Sequence, residues 1–190
     1  MNLQTRMPTT ADEFLRWNEG REGKREFVNG KVVELMINVT KNHWRLATRL
    51  TQQFVTQLGT RDYDIGSADF GVRTADGLRY PDLLVESFSP DGKALATASP
   101  LVIGEILSPS SIADDFGPKA RDYLRLATLL HYLVVAQDEA RVWLWSRNEA
   151  GEWRGPTMFH ELAVPVILDR LDVTLDLGEL YAGIARESAT

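Results

Sequence analysis

The chain has 190 residues, 44% of them hydrophobic and 25% charged, with a formal net charge of −6 and no cysteine. That length suits one domain with a sizeable core. The absence of cysteine excludes disulfides and thiolate zinc sites, and the acidic balance argues against a surface given over to binding phosphate chains. No apolar run reaches about 18 residues, and the first residues lack the apolar stretch of a signal peptide, so a cytoplasmic protein without a membrane partner is the expectation.

Thr10 to Gly20 predicts a short helix. Thr10 stands as N-cap with Glu13 three residues later, and Gly20 is the stop. Arg25 to Met36 predicts a β-hairpin, because both residues of its central Asn29-Gly30 pair accept a positive φ. From Lys41 to Leu58 the period becomes helical, with Ala47, Leu50, Phe54 and Leu58 on one face and Gly59 as the stop. Lys41, Arg45 and Arg49 recur every four residues on another face. Together with His43 at the helix start they are candidates for phosphate contact; the alternative is an ordinary solvated face.

Phe70 to Thr74 and Leu78 to Val85 predict two strands joined by a turn at Ala75-Asp76-Gly77, with Pro81 tolerated near a strand start. A loop over 87–100 leads to a further strand, Leu101–Leu107. Each of these last two strands carries one carboxylate, Asp82 or Glu105, in an apolar setting where an unpartnered charge costs several kcal/mol. If the strands pair antiparallel, Asp82 lies beside Glu105 although they are 23 positions apart.

Pro109 ends that strand. Asp114 or Asp115 then reads as the cap of a helix with Pro118 in its first turn and an apolar stripe of Ala120, Tyr123, Leu124, Ala127 and Leu130. Lys119 begins this helix and can reach the rim that holds the two acids. Strands follow at 131–136, 141–146, 152–154, 164–168 and 173–175, and a terminal helix at 177–184. The five tryptophans read as core or edge residues.

The order Glu26, Asn29-Gly30, His43, Pro81-Asp82, Glu105-Ile-Leu-Ser-Pro-Ser-Ser111, Asp115, Lys119, Tyr123 resembles the bacterial Uma-two family of restriction-endonuclease-like proteins. That family is a branch of the PD-(D/E)XK nuclease superfamily. The likeness runs from about residue 7 to the C-terminus. It implies a single domain over 1–190 of mixed α/β (α+β) class: a restriction endonuclease-like core with a mixed β-sheet flanked by helices, preceded by a helix and a hairpin. It also implies Mg²⁺ (or Mn²⁺) as cofactor, with Asp82 and Glu105 as ligands and Ile106 in the same metal set, and DNA as partner.

In the superfamily a lysine sits two residues after the second acid. Here that place is Leu107, so Lys119 is the candidate for a migrated lysine. Glu26 reads as an additional acid that holds a second metal through water or anchors Lys119, with Tyr123 and Asp115 in support. Where the family shows Gly-Val, then Glu-Tyr-Trp and a later Asp, this chain has Ala127-Thr128, Leu130-His131-Tyr132 and Val135. Those departures bear on substrate handling more than on the metal.

The residue types alone leave a salt-bridged cluster open, with Asp82 and Glu105 paired to Lys119 or Arg79. Three readings of function stand side by side: a Mg²⁺-dependent DNA endonuclease acting as a homodimer, a catalytically silent nuclease fold that binds nucleic acid or a protein, and a hydrolase of another phosphate ester.

Overall fold

The computed structural model describes residues 6–35, 39–67, 69–108 and 111–184. Met36, at the end of the predicted hairpin, and Pro109 lie outside them.

Helix α1 (Ala11–Asn18) starts at Thr10, whose hydroxyl accepts from the Glu13 N–H at 3.2 Å. The Glu13 carboxylate turns instead to Thr9, taking its N–H at 2.8 Å and its hydroxyl at 2.7 Å. Strands β1 (Lys24–Val28) and β2 (Lys31–Leu35) form the hairpin, with Asn29 and Gly30 both at positive φ as the turn demands. Helix α2 (Lys41–Leu58) has the predicted bounds, is capped by the Thr40 hydroxyl and stops at Gly59. Its inward stripe is Leu46, Leu50 and Phe54, with Ala47 and Leu58 partly buried beside it.

β3 (Tyr63–Gly66), β4 (Gly71–Thr74), β5 (Gly77–Arg79) and β6 (Leu83–Ser87) follow. The single strand expected over 78–85 is two strands in different sheets. Pro81 lacks an N–H to donate and restricts the residue before it, so the ladder breaks over 80–82. β5 stays with the hairpin, and β6 crosses to the larger sheet. Gly77 makes the first half possible: its φ is +154°, and a Cβ there would lie 1.8 Å from the Phe27 carbonyl oxygen.

β7 (Ala96–Thr97) is a short strand inside the expected loop, followed by β8 (Pro100–Ile106). Helices α3 (Ile112–Asp115) and α4 (Pro118–Leu124) come next, then β9 (His131–Val135), β10 (Val142–Arg147), β11 (Trp153–Phe159), β12 (Val166–Leu168), β13 (Val173–Leu175) and α5 (Leu177–Leu180). Asp115 is therefore not a cap. It ends α3, and Gly117 precedes α4, where a Cβ would meet the Ala113 carbonyl oxygen at 2.6 Å. α4 also stops at Leu124, short of the expected Leu130, and α5 stops short of 184.

Two main sheets result, in strand orders β2-β1-β5-β4-β7 and β11-β10-β9-β8-β6-β3, with β12-β13 as a small ribbon. In the larger sheet only β8 and β9 run parallel, which makes it mixed. One face, with Leu83, Val85, Val102 and Ile106, packs on α2 and the C-terminal ribbon. The other, with Leu84, Ile103, Leu107, Tyr132 and Val134, is covered by Ala120 and Tyr123 of α4. A smaller core of Phe14, Phe27 and Leu78 joins α1 to the first sheet. Among the described residues no helix is long and apolar enough to cross a membrane.

At the departures noted above, His131 and Val135 lie fully buried in β9, and Val135 is the neighbour of Ile106. His131 Nδ1 is 3.0 Å from the Ser146 hydroxyl, and burial pushes its pKa down to about 4. The unfolded chain takes up that proton near the usual value of about 6.5. The stability gained is complete above pH ~6.5 and is lost as pH falls towards 4, by about 3 kcal/mol at most. Urea unfolding at pH 7 and pH 4.5 should show the native chain losing about 2–3 kcal/mol more than His131→Asn, which cannot titrate.

Candidate active site

The antiparallel register of β6 against β8 sets Leu83 opposite Gly104, so Asp82 and Glu105 come to neighbouring positions at one end of the sheet. The Ile106 N–H donates to Asp82 Oδ2 at 2.9 Å, tying the acid to the end of β8. His43, at the start of α2, brings Nε2 to 3.2 Å from the same oxygen. The Ile106 side chain lies in the core, so only its main chain faces Asp82.

Glu105 lies on the α4 side of the sheet. The Tyr123 hydroxyl donates to Oε1 at 2.9 Å, and Lys119 Nζ is 3.2 Å from Oε2. Lys119 also meets Asp115, one helical turn earlier in the chain, at 3.1 Å. The structure thus joins Glu105, Lys119, Asp115 and Tyr123 directly, with Asp82 and His43 alongside.

The electrostatics separate the two acids. Burial raises Glu105, Lys119 pulls it back, and the Asp82, Asp115 and Glu26 carboxylates push it further, leaving it at about 8. Burial also works against Asp82, but His43 and the Ile106 N–H outweigh it and hold its pKa below the ordinary value. Burial raises Asp115 in the same way as Glu105. For Lys119, burial disfavours the ammonium, yet the Glu105, Glu26 and Asp115 carboxylates prevail, so it stays charged. Two neighbouring carboxyl groups with pKa values driven apart are a common mark of a reactive site.

Glu26 is 1% exposed and belongs to Arg79: its Oε2 accepts from Nη1 at 3.2 Å, and its Oε1 from the Tyr80 N–H at 3.0 Å. It reaches Lys119 through its field, with no direct bond among the described residues. Arg79 is the residue that sequence reasoning missed as an organiser. From β5 it also grips Asp114 of α3 at 3.1 Å, and Asp122 of α4 at 2.7 Å and 3.2 Å. The available signal was an arginine inside the largely apolar run Leu78-Arg79-Tyr80-Pro81, which needs acidic partners once it is buried. The salt-bridge alternative holds for Glu105 with Lys119; Arg79 serves other acids.

On α2, Arg49 is not available for phosphate. Its guanidinium donates to the Leu180 and Ala182 carbonyls and secures the C-terminal helix. Lys41 is exposed and Arg45 half-buried.

The oxygen donors suit a small hard cation. Even with Glu105 holding its proton at neutral pH, the acids Glu26, Asp82, Asp114, Asp115 and Asp122 outnumber the cations Arg79 and Lys119, so the cluster carries excess negative charge. Among the described residues no group of three or more His, Asp or Glu side chains forms a ready-made cation cage. That is compatible with Mg²⁺, which commonly takes one or two carboxylates and retains its waters.

Because Arg79 neutralises acids on three elements, Arg79→Met should destabilise the chain by about 3–5 kcal/mol in urea unfolding at pH 7. Arg79→Lys should recover less than half of that, since one ammonium cannot replace a forked guanidinium.

Comparison with known proteins gives a consistent picture. Two uncharacterised proteins of Synechocystis sp., slr1290 and sll1609, are each 28% identical to this chain. The first match covers 93% of both chains; the second covers 80% of this chain and 89% of the relative. A crystal structure described as a putative nuclease belonging to DUF820, from Anabaena variabilis, superposes with a TM-score of 0.73 at 19% identity. It covers 93% of this chain and 99% of its own, and so shares the fold. The family model Uma2, described as "Putative restriction endonuclease", matches residues 11–178. The chain belongs to this restriction-endonuclease-like family.

Proposed function

We propose that the protein is a Mg²⁺-dependent endonuclease that hydrolyses phosphodiester bonds in DNA, with Asp82 and Glu105 holding the metal beside the Ile106 main chain and Lys119 in the role of the migrated lysine. The observation that carries this reading is the 3.2 Å approach of Lys119 Nζ to Glu105, from a different element than the one that usually bears the lysine. When bound, the ion would polarise the phosphoryl oxygen and lower the pKa of a water.

The chain's own groups have separate tasks. His43 and the Ile106 N–H fix the Asp82 carboxylate, leaving Oδ1 with no hydrogen bond among the described residues. Tyr123 fixes Glu105 Oε1. Lys119 holds a permanent positive charge where negative charge develops on the phosphate, and it can orient an attacking water. Asp115 steadies the ammonium from behind. A homodimer would present one such site to each strand of a duplex.

One observation favours a second reading, that of a silent binding module. Both Glu105 oxygens and one Asp82 oxygen already have protein partners.

Purified protein incubated with supercoiled plasmid and Mg²⁺ or Mn²⁺ should yield nicked and linear forms. Asp82→Ala should abolish this and should also lose Mn²⁺ binding by calorimetry. Lys119→Met should keep Mn²⁺ binding but cut about 10²–10³-fold more slowly. If native protein and Asp82→Ala leave the plasmid equally intact, the endonuclease reading fails for that substrate. Binding of DNA without cleavage would then support the silent module.

A further inference from the structure

Four of the five tryptophans are accounted for by the fold. Trp17 stacks on Phe14 beneath Arg21, Trp143 meets Phe116 edge-on, Trp145 packs against Phe116 and Tyr132, and Trp153 lies under Arg147 and donates to the Leu124 carbonyl. Trp44 has none of these. It is 60% exposed, and among the described residues it has no ring partner, no cation over its face and no hydrogen bond from its indole N–H. An indole left so exposed gives up most of the burial energy a tryptophan usually supplies.

Its position adds to this. Trp44 lies in the first turn of α2, one residue after His43, whose ring contacts Asp82 at 3.2 Å. The same helix end is held against the end of β9 by the Thr40–Gln137 side-chain hydrogen bond. His43 faces the site, and at about 100° per residue Trp44 is turned outward beside it. Exposed Lys41 and half-buried Arg45 share the outward side, and neither side chain has an ion pair or hydrogen bond among the described residues.

We infer that Lys41, Trp44 and Arg45 form a docking face for an unpaired DNA strand, in which the indole stacks on a base and the two cations take the flanking phosphates. This rests on the nuclease reading of the neighbouring acids and narrows its substrate to DNA that is single-stranded or frayed next to the scissile phosphate. Charge complementarity selects the occupant. In a chain of net charge −6, two unpaired cations flanking a bare aromatic surface suit a polyanion with exposed ring faces. The choice of an unpaired strand follows from stacking. A duplex keeps its base faces covered, whereas every unstacked base offers one, and stacking is insensitive to the overall acidity that weakens phosphate binding.

The test is anisotropy titration of a labelled single-stranded 12-mer and the matching duplex, in EDTA so that nothing is cut, with native protein, Trp44→Ala, Trp44→Phe and a Lys41→Ala/Arg45→Ala double variant. Native protein should prefer the single strand. Trp44→Ala should weaken single-strand binding at least about tenfold with little effect on the duplex, while Trp44→Phe stays within about threefold. The double variant should weaken both and flatten the salt dependence. Single-strand binding should also quench the native tryptophan emission, and Trp44→Phe should lose that quench. Unchanged single-strand affinity in Trp44→Ala, equal loss on both ligands, or a change in sedimentation that marks Trp44 as a contact between copies would each overturn the inference. Plasmid cutting with Trp44-independent single-strand binding defeats this inference alone. Trp44-dependent binding without any cutting defeats the nuclease reading alone.

Discussion

A carboxylate taken out of water must find a proton or a cation, and that requirement decides where α3 and α4 sit. Neither helix is long enough to be stable by itself. Arg79 reaches from β5 to Asp114 and Asp122, and Lys119 reaches from α4 to Glu105. These contacts fix both helices over one face of the larger sheet, and Ala120 and Tyr123 then complete the core there. Charge and packing are coupled: α4, which seals the apolar face, carries the lysine that neutralises Glu105 beneath it, while acids on α3 and α4 are neutralised by Arg79 from β5.

The same coupling explains how a lysine carried by a separate element reaches Glu105. Side chains two apart on a strand share a face, so a lysine at 107 would project on the same side of β8 as Glu105. Leu107 fills that position with an apolar group in contact with the α4-side core. α4 covers this face, so its inward residues approach the same carboxylate from above. Lys119 and Tyr123, four apart, end on the two oxygens of Glu105. The helix has to be held in register for this to work, and the Arg79–Asp122 pair supplies that hold one turn along.

What was legible in the sequence was written in local chemistry. Asn29-Gly30 forces a hairpin, Gly59 ends α2, and two apolar runs that each carry one acid pair antiparallel so that the acids come to neighbouring positions. What was not legible depended on partners remote in sequence. The alternation over 78–85 reads as one strand because periodicity does not register a change of sheet, and only the missing N–H of Pro81 hints at it. Asp115 looks like a cap because residue type and spacing suit one, whereas its partner is Lys119 in the next helix. Arg49 continues a regular basic stripe, and nothing nearby in the chain reveals that it serves carbonyls more than 130 residues away. His43 is similar, since its contact with Asp82 exists only once α2 lies across the ends of the strands.

A purely structural ion cluster gains most when its charges balance. This one does not balance: its carboxylates exceed its cations, and burial, with the neighbouring Asp82, Asp115 and Glu26 adding to it, pushes Glu105 up to about 8 even with an ammonium at 3.2 Å. Replacing a whole buried ion pair with well-packed apolar residues commonly costs little or even stabilises a fold, so the imbalance is poorly explained by stability alone. Excess negative charge, with Asp82 held below its ordinary pKa by His43 and a main-chain N–H, is the state in which the proposed divalent cation would be worth most, because it would relieve repulsion that the protein's own residues leave in place. On that argument the acids and Lys119 have complementary tasks. Lys119 neutralises part of that charge, and under the proposed function the remainder is what a divalent cation would answer.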